Sequence, residues 1–191
     1  MLFGLIGVGI AIAWPLLRLS ARPSAMPAAQ AALDGLSIFV LLQVVVWPLR
    51  LVTSWTLARA IALDAAIAAS ILLTAAVLAA AQGVASARVR ALAMTLCVLL
   101  ALLPGIGLVV TRSERTSDAP PPWTSVLVAP SAPALLSRCA QPATLDPDPT
   151  DRGILFRAFS LASAAWAVSI ALHALRARRI SGREQPLDPT G

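Results

Sequence analysis

The chain alternates between long apolar runs and short segments that carry arginine, serine, threonine or proline. Five of the runs approach the roughly 20 residues that a helix needs to cross a lipid bilayer. The sequence therefore predicts an all-α membrane protein, one domain built as a bundle of about five transmembrane helices. The predicted spans lie at about 2–18, 34–53, 59–81, 91–110 and 154–175.

Polar residues and prolines set the predicted boundaries between these spans. Residues 19–33 contain two prolines and are predicted to be a linker. The almost continuous apolar stretch 34–81 is long enough for two spans, and the polar residues within 50–59 predict the turn between them. Pro104, in the sequence Pro-Gly-Ile-Gly, is expected to loosen or kink the fourth helix.

The segment 111–153 holds eight prolines and predicts one long extramembrane loop of extended, polyproline-like chain. An apolar stretch at about 126–136 is too short and too interrupted by proline to span, so we expect it to lie on the membrane or on a partner. Thr150 or Asp151 is the expected N-cap of the fifth span. Residues 176–191 are predicted to form a polar, arginine-rich cytoplasmic tail.

Composition and charge agree with residence in a membrane. Hydrophobic residues make up 58% of the chain and charged residues 13%, against roughly 45–50% and 25% in soluble proteins. The net charge is +6, and all 15 basic residues are arginine. These arginines lie at the ends of apolar runs, where they contact lipid headgroups and set the orientation of the spans. Membrane lipids are therefore the expected contacts, and nucleic acid is not an expected partner.

The distribution of arginine predicts the orientation. The first apolar run has no charged side chain before it, and Arg18 and Arg22 follow it. A dense cluster of arginines at 176–179 follows the last run. Because basic residues in short segments remain in the cytoplasm, we expect the N-terminus outside and the C-terminus inside a bacterial cytoplasmic (inner) membrane.

Few residues suit catalysis or metal binding. His173 is the only histidine, so a bis-histidine haem site cannot form within this chain. Cys97 and Cys139 are expected at different depths, the first as a small buried residue and the second as a lone thiol in the loop. Residues 146–151 superficially resemble a calcium loop but lack the glycine that an EF-hand needs at its sixth position. We predict no catalytic residues and no metal site, and no cofactor is indicated.

Ionisable groups within membrane spans are costly and commonly mark functional sites. Asp64 lies about one turn inside the predicted third span, and Arg50, Arg59 and Arg157 are expected at a similar level. These four residues are predicted to form an intramembrane ion pair or part of an ion path.

Small residues dominate the third and fifth spans, and such helix faces pack closely in membranes. Ser160 and Ala164 of the fifth span, with Pro121 and Trp123 of the Pro-rich loop, are the predicted interface residues. The favoured function is a non-catalytic structural or accessory subunit of a larger membrane complex that contains other membrane subunits. The alternative is a small transporter, channel or permease component that uses Asp64 and the nearby arginines.

Overall fold

The computed structural model describes residues 2–21, 26–53, 55–82, 84, 86–113, 128–140 and 149–181. Across these residues the chain is helical and contains no β-strand. The helices of the described residues are α1 (Leu2–Ser20), α2 (Pro27–Val52), α3 (Leu57–Gln82), α4 (Ala87–Ser113), α5 (Ala132–Cys139) and α6 (Pro149–Ser181). The prediction of an all-α protein is confirmed.

Among the described helices, four are long and apolar enough to cross a membrane: α1, α2, α3 and the part of α6 from Arg152 to Arg176. They correspond to the first, second, third and fifth predicted spans. Helix α4 has 27 residues and covers the predicted fourth span at 91–110. It continues through Pro104 to Ser113 as one helix.

The boundaries differ from the prediction at three places. Helix α2 begins at Pro27, so the second half of the predicted linker 19–33 is helical. Helix α6 begins at Pro149, and Thr150 and Asp151 therefore lie inside the helix and are not its N-cap. Proline suits the first turn of a helix because its missing N–H would have no intrahelical partner there. Helix α6 also continues to Ser181, which makes the first residues of the predicted tail helical.

The middle of the predicted Pro-rich loop is also different, because residues 132–139 form helix α5. Its buried residues repeat at the spacing of one helix face, and they are Ala132, Leu135, Leu136 and Cys139. Leu135 and Leu136 pack into the core of this same chain. The expectation that this stretch covers the membrane or a partner is therefore wrong for the part that α5 contains.

Helix α3 is the centre of the bundle. Helices α1, α2, α4, α5 and α6 all contact it, and most of its length is buried. The small side chains along α3 allow these neighbours to approach its backbone closely. Gly35 of α2 illustrates the approach, since a Cβ atom there would lie 2.9 Å from Ile71 Cγ2.

Contacts at the helix ends define two ends of the bundle. At one end, here called the Arg18 end, Arg18 of α1 forms an ion pair with Asp34 of α2. At the opposite end, the Arg59 end, the ring of Phe3 packs against Trp55 in the turn between α2 and α3, with ring centroids 5.6 Å apart. Successive long helices therefore run in alternating directions.

Candidate functional site

A pair of polar side chains lies between α2 and α3. The amide of Gln43 faces the carboxyl group of Asp64. Both amide atoms of Gln43, Nε2 and Oε1, and the Oδ1 atom of Asp64 are buried and have no hydrogen-bond partner. Unsatisfied buried polar atoms are costly, because nothing replaces the hydrogen bonds that they make with water. We call Gln43 and Asp64 the polar pair.

The register of α2 against α3 explains why these two residues meet. Gly35 contacts Ile71 across the interface. The two helices run in opposite directions. Gln43 comes eight residues after Gly35, and Asp64 comes seven residues before Ile71. Starting from the Gly35–Ile71 contact, about two turns forward along α2 and two turns back along α3 therefore lead to the same level of the bundle, where the amide and the carboxyl group meet.

The other predicted site residues have different surroundings. Arg59 is buried in α3 with 8% of its surface exposed, and Arg157 is exposed on α6. The guanidinium carbon of Arg50 lies 5.6 Å from the centre of the Trp47 ring. The structure thus places Gln43, and not one of these arginines, in front of Asp64. The predicted ion pair or ion path through the four residues stays a prediction.

Gln43 is not among the predicted site residues, although the sequence contains a signal for it. It is the only glutamine in the predicted second span 34–53, which is otherwise almost entirely apolar. Its proximity to Asp64 depends on the register between the two helices. The hydrophobic pattern of either helix alone does not contain that information.

Polar side chains at the Arg18 end bind the last carbonyl groups of α1. Gln82 Nε2 donates a hydrogen bond to the carbonyl oxygen of Arg18 at 3.4 Å, and Arg90 Nη1 donates to that of Leu19 at 3.4 Å. The final carbonyls of a helix lack intrahelical partners and carry partial negative charge. These contacts therefore stabilise the end of α1 and tie it to α3 and α4.

Three hydrogen bonds connect α6 to backbone carbonyls of α3. Trp166 Nε1 donates to the carbonyl oxygen of Leu72 at 2.9 Å, and Arg176 Nη1 donates to that of Ala80 at 3.4 Å. His173 Nε2 lies 3.0 Å from the carbonyl oxygen of Ala79. Because a carbonyl group only accepts, this nitrogen carries the hydrogen in that contact. His173 and Arg176 thus satisfy the carboxyl end of α3.

A small cavity of about 10 Å³ lies beside the irregular part of α1. Residues Gly9–Ala13 form a π-helical segment there, and Ala11 lines the cavity. Ser70, Thr74 and Cys97 contribute polar or polarizable atoms to the wall. The volume is close to the minimum for one water molecule. Cys97 is buried, as predicted, but its surroundings are less uniformly apolar than the sequence suggests.

The second cysteine departs from its prediction. Cys139 is buried at the end of α5 and is not a thiol exposed in a polar loop. Within the described residues, no three His, Cys, Asp or Glu side chains gather into a group able to hold a metal ion.

One face of α6 is lined by small side chains. Ser160 and Ala164, two of the predicted interface residues, are exposed on this face. Three further exposed alanines continue the line at spacings of three or four residues, which places all five along one side of the helix. We call this set the small-residue stripe: Ser160, Ala164, Ala167, Ala171 and Ala174.

The stripe lies opposite the side of α6 that packs on α3. That packed side is marked by the buried residues Ala158, Ala162 and Ser169. Ser169 lies nine residues, or two and a half turns, after Ser160, so the two residues lie on opposite sides of the helix. Pro121 and Trp123, the other predicted interface residues, lie outside the described residues.

No protein-family model, curated protein or solved structure matches this chain. The class of protein is therefore defined by the fold alone. In the part of the chain that the structure describes, it is a helical protein with four helices able to cross a membrane, and a buried polar pair lies between its central helix and α2.

Proposed function

We propose that this chain is a five-span integral membrane protein and a non-catalytic accessory subunit of a larger membrane complex. The span that this proposal adds to α1, α2, α3 and α6 is α4, the predicted fourth span. Its 27 residues correspond to a length of about 40 Å, and residues 91–110 contain no charged side chain. A helix of that length and composition suits a bilayer core of roughly 30 Å.

The orientation that we propose places the Arg18 end in the cytoplasm of a bacterial-type cell and the Arg59 end outside it. Support comes from the arginines at the Arg18 end of α1, α4 and α6, namely Arg18, Arg88, Arg90, Arg176 and Arg178. Arginine in short segments next to spans favours the cytoplasmic side. The N-terminus is then outside and the C-terminus inside.

The small-residue stripe is the observation that carries the assembly role. Helix α6 packs mainly against α3, which leaves most of its surface exposed. In lipid there is no hydrophobic force between helices, so close backbone approach over small residues is what holds them together. The stripe offers such a surface on the side of α6 that no other described helix covers. We propose that a transmembrane helix of another subunit occupies it.

Substitution of a stripe residue by leucine tests this role. Ser160→Leu and Ala164→Leu place large side chains on the stripe and are expected to abolish copurification of partner subunits after gentle solubilisation. Ser37→Leu on α2 is the matched control, since Ser37 and Ser160 are both exposed and both donate to the carbonyl oxygen four residues earlier at 2.9 Å. The control is expected to keep its partners.

Two results would contradict the proposal. One is wild-type protein that migrates as a monodisperse species with no other polypeptide. The other is the same loss of partners in Ser37→Leu as in Ser160→Leu, because the stripe would then have no special part in assembly. Membrane residence is tested separately, by resistance of the chain to extraction with alkaline carbonate.

A further inference from the structure

The polar pair contains three buried atoms without partners, and their chemistry indicates what would satisfy them. They are one carboxyl oxygen of Asp64 and both the donor and the acceptor of the Gln43 amide. A primary amide and a neutral carboxylic acid can form two hydrogen bonds at once. The acid O–H donates to the amide oxygen, while the amide N–H donates to the acid carbonyl oxygen.

The depth of the pair makes the neutral form important. Asp64 lies seven residues after Leu57, the first residue of α3, which is about 10 Å along the helix. The helix has 26 residues and is longer than the hydrocarbon core, so that Asp64 lies roughly 6 Å inside a core of about 30 Å. A carboxylate there needs a cation or several donors, whereas a neutral acid needs only one acceptor and one donor.

Among the side chains that the structure describes, Gln43 and not a cation acts on the Asp64 carboxyl group. Arg59 lies five residues before Asp64 on α3, and side chains at that spacing do not share a helix face. Arg50 lies two turns from Gln43 towards the Arg59 end, with its guanidinium over Trp47. Helix α6 runs parallel to α3, and its basic residue nearest to the level of Asp64 is Arg157, which is exposed. Arg138 on α5 is also exposed. Helix α1 has no ionisable side chain before Arg18.

We propose that Asp64 and Gln43 form a proton-binding site within the membrane. In the loaded form Asp64 is the neutral acid and is joined to Gln43 by two reciprocal hydrogen bonds. Release of the proton leaves a carboxylate that still accepts from Gln43 Nε2, while Gln43 Oε1 loses its donor. The bound species is a proton alone, since the three side-chain oxygens of the pair do not complete the six or more ligands of a metal cation such as calcium.

This site rests on the membrane residence proposed above, but it does not depend on the assembly role. Protein reconstituted in phosphatidylcholine vesicles is first floated on a density gradient, which tests residence by itself. The vesicles are then treated at neutral pH with dicyclohexylcarbodiimide, an apolar reagent that reacts with protonated carboxyl groups. The acid proton moves to a nitrogen of the reagent while the carboxyl oxygen bonds to its central carbon, and mass spectrometry locates the adduct.

The native chain contains its own control for this labelling. We expect the adduct at Asp64 and little or none at Asp34, because Asp34 is ion-paired with Arg18. Protein that floats with the vesicles but carries no adduct at Asp64 would overturn the site without affecting membrane residence. Equal labelling of Asp34 and Asp64 would overturn it as well.

Infrared spectroscopy of the same vesicles tests the role of Gln43. The native protein is expected to show the C=O stretch of a protonated carboxylic acid, and Asp64→Asn is expected to lose it. Asn keeps a paired amide at this position, so that variant should still fold and float. In Gln43→Leu the acid carbonyl loses its donor, and the band should move to higher frequency. An unchanged band in Gln43→Leu would show that the amide does not bind the acid.

Discussion

Substitution of Gly7 by alanine should destabilise the packing of α5 on α1. Gly7 lies on α1 beneath α5, and a Cβ atom built on it would lie 2.5 Å from the Cα and 2.6 Å from the nitrogen of Pro133. Both contacts are with backbone atoms, so that no side chain can rotate away. Gly4 lies one turn earlier on α1, and a Cβ atom there meets nothing within 4 Å. Gly7→Ala and Gly4→Ala are therefore a matched pair of variants.

The size of the effect follows from these distances. Carbon atoms in packed contact lie about 3.5–4.0 Å apart, so that the added methyl group must displace α5 by about 1 Å. Forcing an extra methyl group into a packed core costs about 1–3 kcal/mol. At Gly4 the same substitution is expected to stabilise the helix by up to about 1 kcal/mol, since alanine favours helix more than glycine does. The two variants should thus differ by roughly 1–4 kcal/mol.

The thiol of Cys139 provides the assay, because it is buried on the helix that must move. Maleimide labelling of the folded protein reports local opening of α5. In Gly7→Ala the labelling rate of Cys139 should rise about 5- to 150-fold, since each 1.4 kcal/mol corresponds to a factor of ten. Cys97 is buried on α4 and serves as the internal reference. Equal Cys139 labelling rates in Gly7→Ala and Gly4→Ala would contradict the close packing of α5 on α1.

Three further substitutions test the contacts that hold the bundle together. Leu136→Ala, at a fully buried position, should lower the free energy of unfolding by about 2–5 kcal/mol, whereas Leu41→Ala, at an exposed position on α2, should change it little in detergent. Trp166→Phe removes the hydrogen bond from α6 to α3 and should cost about 0.5–1.5 kcal/mol, measured by denaturant titration; no cost would mean that this bond does not hold α6. A double-mutant cycle with Arg18→Gln and Asp34→Asn should give a coupling energy of about 0.2–1 kcal/mol that weakens with salt, because both side chains are partly exposed. A coupling above this range would indicate a desolvated ion pair.

Much of the helical framework was predictable from the sequence. The turn between α2 and α3 lies within residues 50–59, where polar residues interrupt the apolar stretch. The predicted ends of α2 and α6 differ more from the structure, since both helices continue beyond the apolar segments from which they were predicted. At Pro27 and Pro149 a proline stands at the first helical position, where it starts a helix instead of preventing one.

Helix α5 shows where local rules compete. Its prolines predicted extended chain, and the helix is recognised only from the structure, where Ala132, Leu135, Leu136 and Cys139 form one buried face. A helix of eight residues is too short to be stable alone, and burial against α1 is what stabilises it. Local sequence did not contain that contact, which depends on Gly7 more than a hundred residues earlier in the chain.

The sequence by itself determined the helical class and most of the span-length helices, because the apolar runs and the arginines that bound them are local features. The tertiary structure decided which side chains meet. It placed Gln43 in front of Asp64, bound His173 and Arg176 to the end of α3, and turned the small-residue stripe away from the bundle. These outcomes depend on the register and rotation of one helix against another. Many close packings of alanine-rich helices have nearly equal local preferences, so only the assembled bundle selects among them.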